Sequence, residues 1–136
     1  MTNQIDVNQL ANALQQKVDL PDGKNQGDLD FVVEFQAPDP SNGYKWYRLY
    51  KSGWIEQGGT ASGVTGGNKT YVTLPKQMAD TNYFVTSSIK ANTDYFVGDD
   101  GTTSAYIVSN SQIWLSFSAS SSALYVNYVV RGMAAS

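Results

Sequence analysis

The side chains in this sequence that could do chemistry are mostly carboxylates. The chain holds twelve Asp and Glu residues but no histidine and no cysteine. Ser–His–Asp triads, Cys–His pairs and zinc sites built on imidazole or thiolate all need one of the two missing residue types. Two carboxylates across a cleft would still suffice for glycoside hydrolysis. The composition therefore argues against an enzyme without excluding one, and we predict no catalytic residues, no metal ligands and no cofactor.

One loop, ANTDYFVGDDGTT at residues 91–103, gathers polar groups around an aromatic ring. Loops tolerate change and lie in solvent, so we predict a receptor-binding site here, with Tyr95 as the ring on which a sugar stacks. Its polar partners are Asn92, Asp94, Asp99 and Asp100. In the alternative interpretation Tyr95 and Phe96 begin a strand and one ring points inward. The loops at 118–123 and 60–69 are the next candidates.

The same loop has oxygen ligands of the kind that calcium prefers. Its spacing matches no EF-hand, however, and a solvated turn is the simpler interpretation.

The densest aromatic cluster is WYRLYKSGWIEQGG at residues 46–59. In an alternating strand both faces of its first half carry aromatic and polar side chains. These rings either fill the core or a subunit interface, or form a sugar-stacking platform. Arg48 and Glu56 lie four residues either side of Ser52, so a turn at Ser52–Gly53 would place them opposite each other across a hairpin.

Alternation of apolar and polar residues recurs along most of the chain. Short segments with this pattern, separated by Gly-, Ser-, Asn- and Asp-rich turns, predict eight or nine strands. The fold class is therefore predicted as all-β, an antiparallel and jelly-roll-like β-sandwich. We place this domain at residues 29–136, with a helix and linker at 1–28.

The N-terminal segment has helical rather than strand periodicity. Val7, Leu10 and Leu14 form one apolar stripe in IDVNQLANALQQKV, residues 5–18, and Asp6 is a plausible N-cap. The stripe suits either packing on the chain's own domain or a short coiled coil, with Lys17 weakening the heptad.

The charge balance limits the partners of this chain. The net charge is −3 and the sequence pI is near 4.6, so there is no basic field to attract nucleic acid. No apolar run approaches the roughly 20 residues of a membrane-spanning helix, and the polar start MTNQIDVNQL lacks the features of a signal peptide. We expect no nucleic-acid partner, no membrane insertion and no export signal.

Three segments carry a resemblance to a known family. They are the hairpin WYRLYKSGWIEQGG, the unit YVTLPKQMADTNYFVTSSI at 71–89 and the terminal strand YVNYVVRG at 125–132. Together they resemble the C-terminal domain of bacteriophage tail fibre and receptor-binding proteins over roughly residues 43–132. The resemblance implies a homotrimeric, non-enzymatic β domain at the fibre tip of a virion, made in the host cytoplasm. It favours a trimeric coil for Val7, Leu10 and Leu14, and a chain that is a fragment of a longer fibre.

The resemblance also implies the partner class. A fibre tip recognises a bacterial surface polysaccharide or an outer-membrane protein, and the many Tyr, Ser, Thr, Asn and Gly residues suit such recognition. No ligand residue is transferred from the motifs, because the loops of such domains diverge with the host. The alternatives are a lectin-like module of a bacterial adhesin, a structural trimerisation cap and a capsule-cleaving tip.

Overall fold

The computed structural model of the chain describes residues 29–90, 102–118 and 124–136. The chain divides into two compact units, Met1–Phe31 and Val32–Ser136, and every strand among the described residues belongs to the second. The predicted helix at 5–18, with Val7, Leu10 and Leu14, lies outside the described residues. So does the alternative strand that would begin at Tyr95 and Phe96.

Eight antiparallel strands make up the described fold. They form a five-stranded sheet of order β1-β2-β3-β8-β5 and a three-stranded sheet of order β4-β7-β6. The strands are β1 (Val32–Gln36), β2 (Trp46–Tyr50), β3 (Trp54–Val64), β4 (Thr70–Thr73), β5 (Phe84–Lys90), β6 (Thr103–Ile107), β7 (Gln112–Phe117) and β8 (Leu124–Met133). One 3-10 turn, Pro40–Asn42, precedes β2. The all-β, two-sheet antiparallel prediction is confirmed.

The inner faces of the two sheets share one hydrophobic core. Alternation in β7 is the clearest case, because Ile113, Leu115 and Phe117 are buried whereas the residues between them are partly exposed. The five-stranded sheet contributes most of the remaining core: Tyr47, Ile55, Ala61, Val64, Val126, Tyr128 and Val130. Burying each large aliphatic side chain is worth about 1.5–3 kcal/mol, so this layer holds the two sheets together.

The hairpin between β2 and β3 turns where the sequence predicts. Gly53 has φ 89°, a left-handed conformation that glycine adopts at little cost, and its N–H donates to the carbonyl of Tyr50 at 2.9 Å. Arg48 is the register partner of Glu56. The predicted cross-strand placement of these two residues is therefore confirmed.

The structure corrects the prediction of a loop at 60–69. Thr60–Val64 continue β3 and pair with β8, with Thr60 opposite Asn127. A register shift between Ala61 and Val64 contains Gly63, whose φ of 69° marks the irregularity. The small residues of this stretch predict a loop, but the neighbouring β8 supplies the backbone partners that make it a strand.

Candidate functional site

The receptor-binding residues predicted from the sequence are not among those that the structure describes. Asn92, Asp94, Tyr95, Asp99 and Asp100 all fall in the gap between residues 90 and 102, and residues 119–123 of the second candidate loop also lie outside the described residues. These assignments stay predictions. The described part of the chain offers other candidates, beginning with the aromatic hairpin.

Gln57, in the middle of the hairpin motif, is a structural clamp. Its side chain is completely buried, and its Nε2 donates to the carbonyl of Lys76 at 2.8 Å and to Met78 Sδ at 3.0 Å. Its Oε1 accepts from the Lys76 N–H at 2.8 Å. Because buried amides need partners for both polar atoms, this geometry ties the segment after β4 to the centre of β3.

The paired glycines of the motif allow two rings to lie directly on β3. A Cβ atom at Gly58 would stand 2.3 Å from the backbone oxygen of Tyr128 and 3.0 Å from Trp46 Nε1. A Cβ at Gly59 would stand 2.8 Å from the Tyr128 hydroxyl. Neither glycine has a positive φ, so close approach rather than backbone conformation requires glycine at both positions.

The charged residues of the hairpin form a row across the outer face of the five-stranded sheet. Glu56 pairs in register with Arg48 on one side and Arg131 on the other, and Arg131 Nε lies 3.6 Å from Glu56 Oε1. The Arg48 guanidinium lies over the Trp46 ring, 5.7 Å from its centroid. Pairs this exposed contribute about 1 kcal/mol or less, so their main effect is on strand register.

The two faces of the hairpin therefore have different roles. Tyr47 is buried in the core, whereas Trp46 lies on the outer face and is only partly buried. There Trp46 lines a groove of about 630 Å³ with Val32, Phe35, Pro38 and Arg48. The core interpretation holds for one face of the hairpin, and the other face remains available for a partner.

The most connected titratable cluster involves Glu34, Lys76 and Tyr47. Glu34 Oε1 lies 2.7 Å from Lys76 Nζ and accepts the Tyr47 hydroxyl at 2.7 Å. Hydrogen bonds from Lys76 and Tyr47 lower the pKa of the Glu34 carboxyl. The same hydrogen bonds to Glu34 raise the pKa of Tyr47 and of Lys76. The lowered pKa of Glu34 is the opposite of what a general acid needs, and the raised pKa of Lys76 is the opposite of what a nucleophilic lysine needs.

Three further carboxylates, Glu56, Asp39 and Asp80, have surroundings different from that of Glu34. Glu56 lies on the outer face of the five-stranded sheet, whereas Glu34 lies in the next row, on the opposite face. Asp39 accepts from the N–H and hydroxyl of Ser41, and these hydrogen bonds lower its pKa. Asp80 accepts from the Asn82 N–H. Among the described residues no three acidic side chains group as a metal site would require.

Three aromatic side chains from three adjacent strands form a line on the outer face of the three-stranded sheet. This aromatic row consists of Tyr71 on β4, Trp114 on β7 and Tyr106 on β6, joined by direct register pairs. Tyr71 is 56% exposed and Tyr106 58%, with Trp114 partly buried between them. The Tyr106 and Trp114 rings stack with centroids 5.4 Å apart and planes 19° apart.

Polar side chains border the aromatic row on both sides. Thr73 and Gln112 form the next same-face register pair in one direction, and Ser104 and Ser116 the next in the other. Lys69 places its Nζ 5.6 Å from the centroid of the Trp114 ring. The outer face of this sheet is therefore an apolar strip bordered by hydrogen-bonding side chains, and the exposed Val108 extends the strip beside Gln112.

The sequence interpretation did not single out the aromatic row, although part of the signal was available. In QIWLSF the apolar residues Ile113, Leu115 and Phe117 occupy one face, so Trp114 must point to the other. Tyr71 is exposed and its neighbour Val72 is buried, so alternation also places Tyr71 on the outer face. Alternation could not show that the strands carrying Tyr71, Trp114 and Tyr106 are neighbours, or that these three residues are register partners.

No family model, curated protein or solved structure matches this sequence. Within the described ranges, no helix has both the length and the apolar character needed to cross a bilayer.

Proposed function

We propose that this chain is the tip domain of a bacteriophage tail fibre, a non-enzymatic homotrimeric adhesin that recognises a receptor on the bacterial surface. The observation that carries the proposal is the aromatic row. Tyr71 and Tyr106 expose more than half of their surface, on a face that is not needed for the core. Exposed aromatic side chains with adaptable polar neighbours are typical of recognition surfaces.

The non-enzymatic part of the proposal is supported by the state of the carboxylates. Glu34 and Asp39 have lowered pKa values and accept hydrogen bonds from fixed neighbours. Such groups stay ionised, which is unsuited to the general-acid role in glycoside cleavage, and their hydrogen bonds are made to neighbouring residues of the fold. This favours an adhesin over a capsule-cleaving tip.

The homotrimeric part is supported by the outer face of the five-stranded sheet. Phe35 is 60% exposed and Phe84 71%, at opposite ends of the row that contains Arg48, Glu56 and Arg131. Met133 is also exposed on this sheet. Apolar side chains exposed beside charged ones are common at contacts between subunits. This face and the predicted stem residues Val7, Leu10 and Leu14 are the proposed contacts between copies.

A lectin-like module of a bacterial adhesin is the second candidate, because the aromatic row would serve it equally well. The two functions differ in where the protein occurs, at a virion fibre tip or on a bacterial surface. Immunogold labelling of phage particles with antibody to this chain separates them. Label at fibre ends supports the tail fibre, and label on uninfected cells supports the bacterial adhesin.

Adhesion to whole cells tests the proposal. Fluorescently labelled protein is mixed with a panel of Gram-negative and Gram-positive strains, and binding is measured by flow cytometry. We expect saturable binding to a subset of strains, strongly reduced in a Tyr106→Ala/Trp114→Ala variant. Tyr44→Asn, which removes an exposed ring outside both sheets and keeps a residue type that tolerates the positive φ at this position, is the matched control and should bind as the wild type does. Binding to no strain, or equal binding by the double variant, would contradict the proposal.

A further inference from the structure

We infer that the ligand of the aromatic row is a polysaccharide, bound with its sugar rings packed against the exposed surfaces of Tyr71, Trp114 and Tyr106. This inference deepens the proposed function, since it names the receptor class and the surface that takes it. It differs from the sequence-based prediction, which placed the receptor site in the 91–103 loop.

The row has a fixed shape. The Tyr106 and Trp114 rings stack on each other, with centroids 5.4 Å and planes 19° apart, so each ring holds the other in place while Tyr71 and Tyr106 keep more than half of their surface exposed. Neighbouring strands lie about 4.8 Å apart, and three strands therefore extend the row over roughly 10 Å. That length accommodates two linked sugar rings lying across the strands.

The side chains on either side of the row have the chemistry that a sugar requires. A pyranose presents C–H groups on its flat face and hydroxyl groups around its edge. The aromatic row matches the face, and hydroxyl and amide side chains match the edge on both sides: Thr73, Gln112, Ser104 and Ser116. These side chains can donate and accept, as sugar hydroxyls require.

The width of the row favours a glycan over a protein partner. A protein interface buries a broad apolar centre surrounded by a polar rim. Here the apolar strip is one residue wide on β4 and β7, where the next residues on each side are polar, and it widens to two residues at the exposed Val108, just after β6. A single polysaccharide chain covers such a strip. A protein surface would also bury the Ser, Thr and Gln side chains, and each of them would then need its own hydrogen-bond partner.

Lys69 adds a charge preference at the border of the row. Its ammonium group lies 5.6 Å from the Trp114 ring centroid, within the range of a cation–π contact, and its side chain is exposed. A positive charge beside the bound sugar favours polysaccharides whose sugars carry carboxylate or phosphate groups. We therefore expect Lys69→Ala to weaken binding of acidic polysaccharides and to leave neutral ones unchanged.

The direct test is binding to an array of purified bacterial capsular and O-antigen polysaccharides, both neutral and acidic. Wild type should bind a subset of them, and Trp114→Ala should weaken that binding at least about tenfold, the effect expected for a central interface aromatic. Trp114→Phe should restore part of the binding, because it retains a ring. Tyr44→Asn is the matched control. Melting temperatures of all variants establish that each one is folded.

A second experiment separates failure of this inference from failure of the proposed function. Cells that bind the wild type are treated with periodate, which cleaves sugar diols, or with proteinase K. Loss of binding after periodate alone supports the inference. Loss after protease alone contradicts the glycan ligand while leaving the adhesin intact. Failure of the wild type to bind any arrayed polysaccharide, or unchanged binding by folded Trp114→Ala, overturns the inference whatever the cells show.

Discussion

At the scale of single residues, the motif around the hairpin acts mainly through packing. Gln57 holds the segment after β4, Gly58 makes room for Trp46, and Gly59 makes room for Tyr128. Each of these residues is defined by a contact with a distant part of the chain. Gln57, Gly58 and Gly59 therefore have a structural role, in which each one fits a distant segment onto β3.

Replacing Gln57 tests this structural role. Gln57→Ala removes both amide partners of Lys76 and leaves a cavity in the core, so we expect the free energy of unfolding to fall by about 2–4 kcal/mol. Gln77→Ala, at an exposed position nearby, should change it by less than about 0.5 kcal/mol. Urea unfolding measures both. Equal effects of the two substitutions would contradict the clamp.

Two buried tyrosines make a matched pair for a second prediction. The Tyr83 hydroxyl donates to the carbonyl of Ser109 at 2.7 Å, whereas the Tyr128 hydroxyl is buried without a hydrogen-bond partner. Tyr83→Phe should therefore destabilise the fold by about 1 kcal/mol, and Tyr128→Phe should stabilise it by a similar amount. Thermal unfolding distinguishes the two directions. A loss of stability in both variants would contradict the assignment for Tyr128.

Tyr83 and Tyr128 should also make the free energy of unfolding fall at high pH. Burial raises the pKa of Tyr83 and of Tyr128 to about 12, above the value near 10 in the unfolded chain. The contribution of the neutral rings is therefore complete below pH 10 and is lost as the pH rises through 12. Tyrosinate absorbance and circular dichroism should change together in this window. Ionisation of all the tyrosines near pH 10 with the fold intact would contradict it.

At the scale of elements, β7 divides its two faces between stability and recognition. Leu115 is completely buried, whereas Trp114 beside it lies on the outer face, in the aromatic row. Because side chains alternate along a strand, one short segment supplies both the core and the proposed binding surface. The core positions hold the strand in place, and the outer positions can then vary with little effect on folding.

Substitutions on the two faces should separate these roles. Leu115→Ala should lower the free energy of unfolding by about 2–5 kcal/mol, the range for a truncated buried leucine. Tyr106→Ala, on the neighbouring β6, should lower it by about 1 kcal/mol or less, because most of its ring surface is already exposed. Chemical denaturation of both variants gives the comparison. A larger loss for Tyr106→Ala would place that ring in the stabilising core.

At the scale of the whole molecule, the two sheets present different outer surfaces. The three-stranded sheet carries the aromatic row with polar borders, and the five-stranded sheet carries Phe35 and Phe84 around a charged centre. The first pattern suits a glycan and the second suits another protein surface. The proposed trimer would then pack through the larger sheet and leave the smaller one facing the receptor.

Light scattering tests the assembly. The wild type should have a mass near three times 14.8 kDa, and Leu10→Asp/Leu14→Asp should shift it toward the monomer. Phe35→Ser/Phe84→Ser should do the same if the sheet face is part of the contact, whereas Tyr106→Ala should leave the mass unchanged. A wild-type monomer at micromolar concentration would contradict the trimer. A trimer that persists in the Phe35/Phe84 variant would confine the contact to the N-terminal stripe.

The sequence by itself determined the features that depend on neighbouring residues. Alternation predicted most of the strands, the Ser52–Gly53 turn set the register of Arg48 against Glu56, and the absence of histidine and cysteine limited the available chemistry. These follow from local rules, since strand geometry gives a period of two and a tight turn places equidistant residues opposite each other.

Only the tertiary structure decided which distant segments meet. Residues 71, 106 and 114 become one row because β4 and β6 both pair with β7, and Thr60–Val64 become a strand because β8 lies beside them. Gln57 likewise forms a hydrogen bond to Lys76, which lies nineteen residues further along the sequence. Strand order and register depend on how the whole core packs, and alternation within one strand carries no information about its neighbour. The described candidate site therefore emerged from the pairing of strands whose separate patterns predict only their two faces.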